Sequence, residues 1–157
     1  MEKYIEYLNE SKRKLRIADH LIYMTLPLVQ EKRIYISILT EMNNSTISLM
    51  NSVLNFEKIK ITKGTQNNFD VFFTLLIQKY SSNKDDIHCL KELLEISTLH
   101  KNSSVEIFDK KKVVILSEYL KSQTLTLEKI KKFDECLKLS IDKVTQIMSN
   151  SLQVSNK

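Results

Sequence analysis

The chain has 157 residues, of which 42% are hydrophobic and 27% are charged, and its formal net charge is +5. This length and balance are typical of one soluble globular domain. We therefore expect a single helical-bundle domain over residues 1–150, followed by a frayed polar tail over 151–157. The chain contains only one glycine and one proline. Since these residues usually mark turns and strand ends, their scarcity predicts long uninterrupted segments.

Neither a membrane span nor a secretory signal is predicted. The longest apolar runs, 34–39 and 71–77, are far shorter than the roughly 20 residues that a spanning helix needs, and the charged N-terminus lacks an apolar signal core. Cys89 and Cys136 lie far apart, and neither belongs to a CxxC motif. This pattern predicts two reduced, buried thiols in a cytoplasmic protein that does not contact the membrane.

Apolar residues at three- and four-residue spacing predict helices along most of the chain. The first covers about 2–26, and Pro27 either kinks it or lies in a short connector. The second covers about 32–60, with a near-heptad stripe that favours left-handed bundle packing. Its middle, 43–46, consists of weak helix formers. We expect one exposed turn there with Thr46 facing inward; the alternative is that small side chains let another backbone approach closely.

The segment 62–68, which holds the one glycine, is predicted to be a loop. A third helix, about 69–80, is apolar nearly all round and should be the most buried element. A fourth helix, about 86–101, follows a polar break in which Asp85 or Asp86 is a suitable N-cap.

Residues 104–117 are the least helical part of the sequence. Two short runs rich in β-branched and aromatic residues surround a polar tetrapeptide, which predicts a β-hairpin or extended flap packed on the helices. The last helix begins near Thr126, a suitable N-cap. We therefore predict a mainly all-α fold, an up-and-down bundle of about five helices with this small hairpin or flap.

The sequence contains no motif for metal, nucleotide or nucleophilic chemistry. His88 and His100 are more than three helical turns apart, which is too far to share a metal ion. No glutamate has the Glu-x-x-His spacing of bundle metal sites, and Glu31, Glu41 and Glu57 are scattered. One glycine cannot form a phosphate-binding loop, and no GxSxG motif occurs. We therefore expect no metal and no cofactor.

Lysines provide most of the positive charge, and the segment 110–132 contains seven lysines against two glutamates. A basic hairpin tip beside a helix start is suited to a phosphate backbone. The alternative is a solvated lysine surface, since arginine, the residue that favours specific phosphate recognition, occurs only three times. The candidate nucleic-acid contacts are Lys110, Lys111, Lys112, Lys129 and Lys132.

Two segments carry a family resemblance. The first, IADHLIYMTLPLVQEKRIYISIL at 17–39, has an Asp-His-apolar run and a Thr-x-Pro-Leu turn before a long helix. The second, LHKNSSVEIFDKKKVVIL at 99–116, is similar to a His-Lys-x-Ser-Pro-x-Glu-Phe stretch, with Ser104 in place of the proline and Ile107 in place of the phenylalanine. Together they resemble a group of uncharacterised archaeal helical proteins. Such proteins look like relatives of the HEPN bundles, several of which are ribonucleases or partners of nucleotidyltransferases.

The HEPN resemblance implies a candidate catalytic pair. The ribonuclease signature of that family is an Arg followed four to six residues later by a His, and Arg13 and His20 have six residues between them. On one helix they are two turns apart and share a face. In this interpretation Arg13 holds a scissile phosphate and His20 transfers a proton near neutral pH.

Broad apolar stripes without an assembled reaction centre favour a different function. We expect a non-catalytic interaction or scaffold protein that self-associates through a helix face, as a homodimer, or binds a protein partner. Its lysine patches would associate it with RNA or DNA. The alternative is a metal-independent HEPN-type ribonuclease that cleaves RNA phosphodiester bonds with Arg13 and His20.

Overall fold

The computed structural model describes residues 2–61, 65–103, 105–109, 111–116 and 122–155. Within these ranges the chain forms five helices and three strands, so the predicted helical bundle with a small β element is confirmed. The helices are α1 (Lys3–His20), α2 (Lys32–Phe56), α3 (Thr65–Gln78), α4 (Lys84–Lys101) and α5 (Leu127–Ser155). The strands are β1 (Val105–Asp109), β2 (Lys112–Leu116) and β3 (Ser122–Thr126).

Helices α1 and α2 form the most extensive contact of the bundle, and small side chains line it. Ser11 Oγ donates to the Ser45 carbonyl at 2.8 Å, and Ser45 Oγ donates to the Ser11 carbonyl at 2.7 Å. Nearer the start of α1, Ser52 Oγ donates to the Tyr4 carbonyl at 2.7 Å. All three serines are fully buried. The predicted exposed turn at 43–46 is therefore wrong, and the alternative of a close backbone approach is confirmed.

Helix α5 packs on this pair antiparallel to α1 and parallel to α2. Ser52 of α2 lies 3.9 Å from Met148 of α5, where α1 begins, and Lys138 of α5 lies 2.6 Å from Asp19, where α1 ends. Helix α4 packs along α5. The buried core is one cluster to which every helix contributes, together with strands β2 and β3. The sheet covers the end of the bundle where α4 ends and α5 begins.

Helix α3 is less buried than its composition predicts. Phe72 and Leu76 are enclosed, but Val71 and Ile77 are 39% and 42% exposed. The reason is position, since α3 has its main contacts only with α2 and α4. The central helix is α2, which packs against all four other helices. The prediction that the third helix is the most buried element is therefore wrong.

Two helices end in the left-handed conformation without a glycine. After α2, Lys58 has a φ of 57° and the N–H of Ile59 donates to the Leu54 carbonyl at 2.9 Å; after α3, Ser81 has a φ of 53°. Glycine usually fills this position because a side chain there costs about 1 kcal/mol or more. The sequence therefore gives no signal for these ends, and the predicted helices extend too far, to 60 and to 80.

Polar caps set where α4 and α5 begin. The Asn83 side chain accepts the N–H of Asp85 at 2.9 Å, so the N-cap of α4 is Asn83 rather than the predicted Asp85 or Asp86. Thr126 is the N-cap of α5 as predicted, since its Oγ1 accepts the N–H of Lys129 at 3.2 Å.

Helix α1 gives way at Leu21–Thr25 to a π-helical turn, so helical structure reaches 25, close to the predicted 26, and Pro27 lies in the turn that follows, the predicted connector. Two further boundaries differ from the prediction. The predicted loop over 62–68 is helical from 65 onward, and 62–64 lie outside the described residues. Helix α5 continues to Ser155, beyond the predicted start of the tail, because no glycine or proline ends it.

We predict that Ser45→Leu destabilises the protein by about 3 kcal/mol, because a larger side chain separates α1 from α2 and removes a buried hydrogen bond. Ser37→Leu, at an exposed position of the same helix, should change stability by less than about 0.5 kcal/mol. Urea unfolding followed by circular dichroism measures both. Equal, small effects of the two substitutions would contradict the close packing at Ser45.

Candidate interaction surface

The strands pair antiparallel in the order β1-β2-β3, and their register decides which side chains face outward. Val113 pairs with Leu125, and both are fully buried, as is Ile115. Because side chains alternate along a strand, the residues between these positions point away from the bundle. The outward face therefore presents two apolar cross-strand pairs, Val105 with Leu116 and Ile107 with Val114.

These four residues, the outer patch, are the most exposed apolar group of the sheet. Val105 is 46% exposed and Ile107 is 48% exposed, while Val114 and Leu116 are half-buried. Directly paired apolar side chains on a sheet contact one another, so the patch is continuous across two strands. A continuous exposed apolar patch is typical of a binding surface.

Strand β1 also presents a free edge. Within the described ranges it pairs only with β2, whereas the opposite edge strand, β3, packs against α4 and α5. The free edge of a strand carries N–H and C=O groups that another strand can bind. Natural edge strands usually discourage such pairing with a lysine, a proline or an inward-pointing charge. The sequence of β1, VEIFD, has no lysine or proline, and its inward Glu106 is paired with His100.

The inward side of β1 holds the sheet to the helices. The Phe108 ring lies 5.6 Å from the Tyr35 ring of α2, centre to centre. Glu106 pairs with Nδ1 of His100 at the end of α4, and its other carboxylate oxygen lies 3.8 Å from Lys32 Nζ. These contacts connect β1 to two helices, so the outer patch is displayed on a well-anchored strand.

The predicted lysines of the hairpin tip lie beside the outer patch. Lys112 is exposed on the same outward face as Val114, and it pairs across the sheet with Thr126, the N-cap of α5. Lys111 is exposed in the turn with a φ of 66°. Lys110 lies outside the described residues. Positive charge therefore borders the patch at the tip of the hairpin.

The two predicted lysines of α5 have different surroundings. Lys129 Nζ lies 3.2 Å from Glu92 of α4, so a neighbouring carboxylate balances its charge. Lys132 is exposed. The register of β2 with β3 brings the hairpin tip beside the first turn of α5, which places Lys129 and Lys112 at the same end of the bundle.

The structure does not join Arg13 to His20. The Arg13 guanidinium binds the Glu10 carboxylate at 2.7 and 3.0 Å, one turn towards the N-terminus, which directs it away from His20. His20 is exposed at the last position of α1. Because the Arg13–Glu10 pair is also exposed, it contributes little to stability. An RNA phosphate would have to replace Glu10 as the partner of Arg13 before the two residues could act together.

Asp19, the neighbour of His20, belongs instead to a charged cluster between α1 and α5. Lys138 Nζ lies 2.6 Å from Asp19 Oδ1 and 2.9 Å from Asp134 Oδ2. Asp134 is fully buried, with Lys138 and Asp19 as its charged neighbours. The ring of Tyr23, on the π-helical turn, lies 5.7 Å from Lys138 Nζ and covers the cluster from one side.

Burial and the neighbouring Asp19 raise the pKa of Asp134 to about 6, against the opposing charge of Lys138. Burial also acts to raise the pKa of Asp19, but hydrogen bonds with Lys138 and Asp134 hold it below its ordinary value. One carboxylate of the pair is therefore ionised at acidic pH while the other retains its proton up to near neutrality.

The histidines have no partner set for a metal ion. His88 is exposed, and His100 pairs with Glu106. Among the described residues, no group of three or more His, Cys, Asp or Glu side chains is arranged to hold a metal.

Comparison with protein-family models, with curated proteins and with solved structures found no match to this chain. The resemblance to HEPN bundles therefore stays a prediction. None of the helices in the described ranges combines enough length with enough apolar character to cross a membrane.

Sequence reasoning missed both β3 and the outer patch. The segment 122–126, SQTLT, is mostly polar, yet two β-branched threonines alternate with Gln123 and Leu125, which is a weak strand signal. Without β3, the side of the hairpin that faces the bundle cannot be assigned. The sequence therefore gives no signal that the apolar residues at 105 and 107 are exposed.

We predict that the fold loses stability as the pH rises from about 4 to about 6. The pKa of Asp134 is higher in the folded protein than in the unfolded chain, so folding favours the protonated carboxyl and is penalised once it ionises. The pKa of Asp19 is lowered, so its contribution to stability changes with pH in the opposite direction. That change occurs below about pH 4 and does not cancel this slope. Asp134→Asn should remove the slope and stabilise the protein at neutral pH by on the order of 1–3 kcal/mol.

Urea unfolding at a series of pH values measures this slope. Asp142→Asn, at an exposed position of the same helix, is the matched control and should retain the wild-type slope. The same slope in wild type and Asp134→Asn would show that Asp134 is not the titrating group.

Proposed function

We propose that this protein is a non-catalytic interaction protein that self-associates through the free edge of β1 and the outer patch. The observation that carries the proposal is the pairing of Val105 with Leu116 and Ile107 with Val114 on the outward face, next to an unpaired strand edge. The proposal replaces the helix face expected from the sequence with a sheet edge. The apolar stripe of α2 is buried in the core. Helix α3 exposes two large apolar residues, Val71 and Ile77, but they do not lie beside the free edge of a strand.

A second copy of the chain suits this edge for a reason of charge. Asp109 ends β1 and pairs across the hairpin with Lys112, and the exposed Lys111 lies in the turn between them. When two copies pair antiparallel about a two-fold axis, the basic turn of each lies beside the start of the other's β1, and the two basic turns stay apart. Ile107 then lies near the axis, where the apolar side chains of both copies meet.

Lysine-bordered surfaces also attract nucleic acid, and the exposed Lys111 and Lys112 are suited to phosphate contact. Association with RNA or DNA is thus a secondary part of the proposal. It requires no base recognition, because these side chains act as point charges.

We predict that Ile107→Lys weakens self-association at least about tenfold, since it places a charge at the centre of the paired edge. Sedimentation equilibrium over a range of protein concentrations measures the dissociation constant. Leu139→Lys is the matched control: Leu139 is 49% exposed on α5, so the same change there should leave association unaltered. Both positions are exposed, and circular dichroism should show an unchanged fold.

A protein that stays monomeric at every concentration, or a dimer that Ile107→Lys leaves intact, would overturn the proposal.

The alternative function, RNA cleavage, is tested by incubating the same preparations with labelled single-stranded RNA. Metal-independent cleavage that disappears in His20→Ala would favour the HEPN-type ribonuclease with Arg13 and His20. Binding without cleavage, weakened by salt and by Lys111→Glu with Lys112→Glu, would support the secondary association with nucleic acid.

A further inference from the structure

Helices α4 and α5 bring together the two cysteines of the chain, although they are far apart in sequence. Cys89 Sγ lies 3.8 Å from the Lys132 carbonyl of α5, and Cys136 Sγ lies 3.6 Å from the Asp86 carboxylate of α4. Lys132 and Cys136 are about one helical turn apart, as are Asp86 and Cys89. The two thiols therefore share one site between the helices, where each affects the ionisation of the other.

This site is closed to solvent. Both thiols are free and buried, as the sequence predicts, and Cys136 is slightly more exposed than Cys89. Burial raises the pKa of both thiols, and the contacts of Cys136 with Cys89 and Asp86 raise its pKa further. Because the thiolate is the reactive form, neither cysteine reacts readily while α4 and α5 remain packed.

We propose that Cys89 and Cys136 form a redox-sensitive pair that closes into an intramolecular disulfide and joins α4 to α5. The oxidant is a small disulfide, such as oxidised glutathione. The Cys136 thiolate attacks one glutathione sulfur, and a mixed disulfide forms as one glutathione leaves. The Cys89 thiolate then attacks the Cys136 sulfur and releases the second glutathione. The two thiol protons end on the two glutathione thiols, and two electrons reduce the oxidant.

The arrangement of the helices favours this closure over a bond between copies. The second step needs Cys89 to reach the sulfur of Cys136, and the two side chains already face each other across one helix interface. A local separation of α4 and α5 admits the small oxidant, and repacking of the same interface brings the two sulfurs together again. Closure is therefore slow in its first step and fast in its second.

The cross-link would restrain the two helices between which the sheet lies in the chain. Helix α4 leads into β1 and α5 follows β3, so a bond between these helices fixes the two elements that hold the strands. It also closes a long loop of chain between residues 89 and 136, which restricts the unfolded state. Oxidation should therefore make the folded protein more resistant to urea.

The test treats the folded wild-type protein with oxidised glutathione at about pH 8, where a fraction of the thiols ionises once local separation of α4 and α5 exposes them. Free thiols are then blocked with an alkylating reagent, and peptide mapping without reduction identifies any cross-link. We expect Cys89 bonded to Cys136 within one chain, with a higher urea midpoint that returns to its starting value after dithiothreitol. Cys89→Ser should stop at the glutathione adduct of Cys136.

Two results would overturn the proposal. The first is two free thiols in the folded protein after this treatment, when the same reagent oxidises them in urea. The second is a product in which the disulfides join different copies of the chain. Either result would mean that the two cysteines do not act as a pair within the native fold.

Discussion

The reciprocal hydrogen bonds between Ser11 and Ser45 are the constraint on which the rest of the bundle depends. Each hydroxyl donates to the other residue's carbonyl, so two helix backbones approach closely while both of these buried hydroxyls stay hydrogen-bonded. A larger side chain at either position would separate α1 from α2. With that pair in place, the apolar faces of α1 and α2 are both covered, and α5 and α4 complete the core.

The sheet depends on this arrangement because its contacts lie at helix ends. Tyr35 near the start of α2 and His100 at the end of α4 hold β1, and β3 continues directly into α5. These helix ends are spaced by packing along the whole bundle. A small sheet is marginal alone in water, so it is the helices that keep an apolar outward face and a free strand edge in a fixed position.

The sequence predicts the features that local chemistry decides. The apolar stripe of α5, its Thr126 cap and the alternation in 105–116 all correspond to the structure. Prediction from the sequence fails where one residue type suits two different structural positions. Small polar residues such as Ser45 suit either an exposed turn or a close helix contact, and only the partner helix decides. The exposed edge of β1 and the Asp19–Asp134–Lys138 cluster depend on register between distant segments, which no local pattern contains.

Native-state amide hydrogen exchange measures directly whether the contact of α1 with α2 is the most stable part of the fold. We predict that amides around Leu15 of α1 and Leu49 of α2 exchange only through global unfolding, with the highest protection in the protein. Amides of β1 should exchange through local opening at a lower free energy, because one edge of that strand is unpaired. Faster exchange around Leu15 and Leu49 than in β1 would contradict the central role of the Ser11–Ser45 contact.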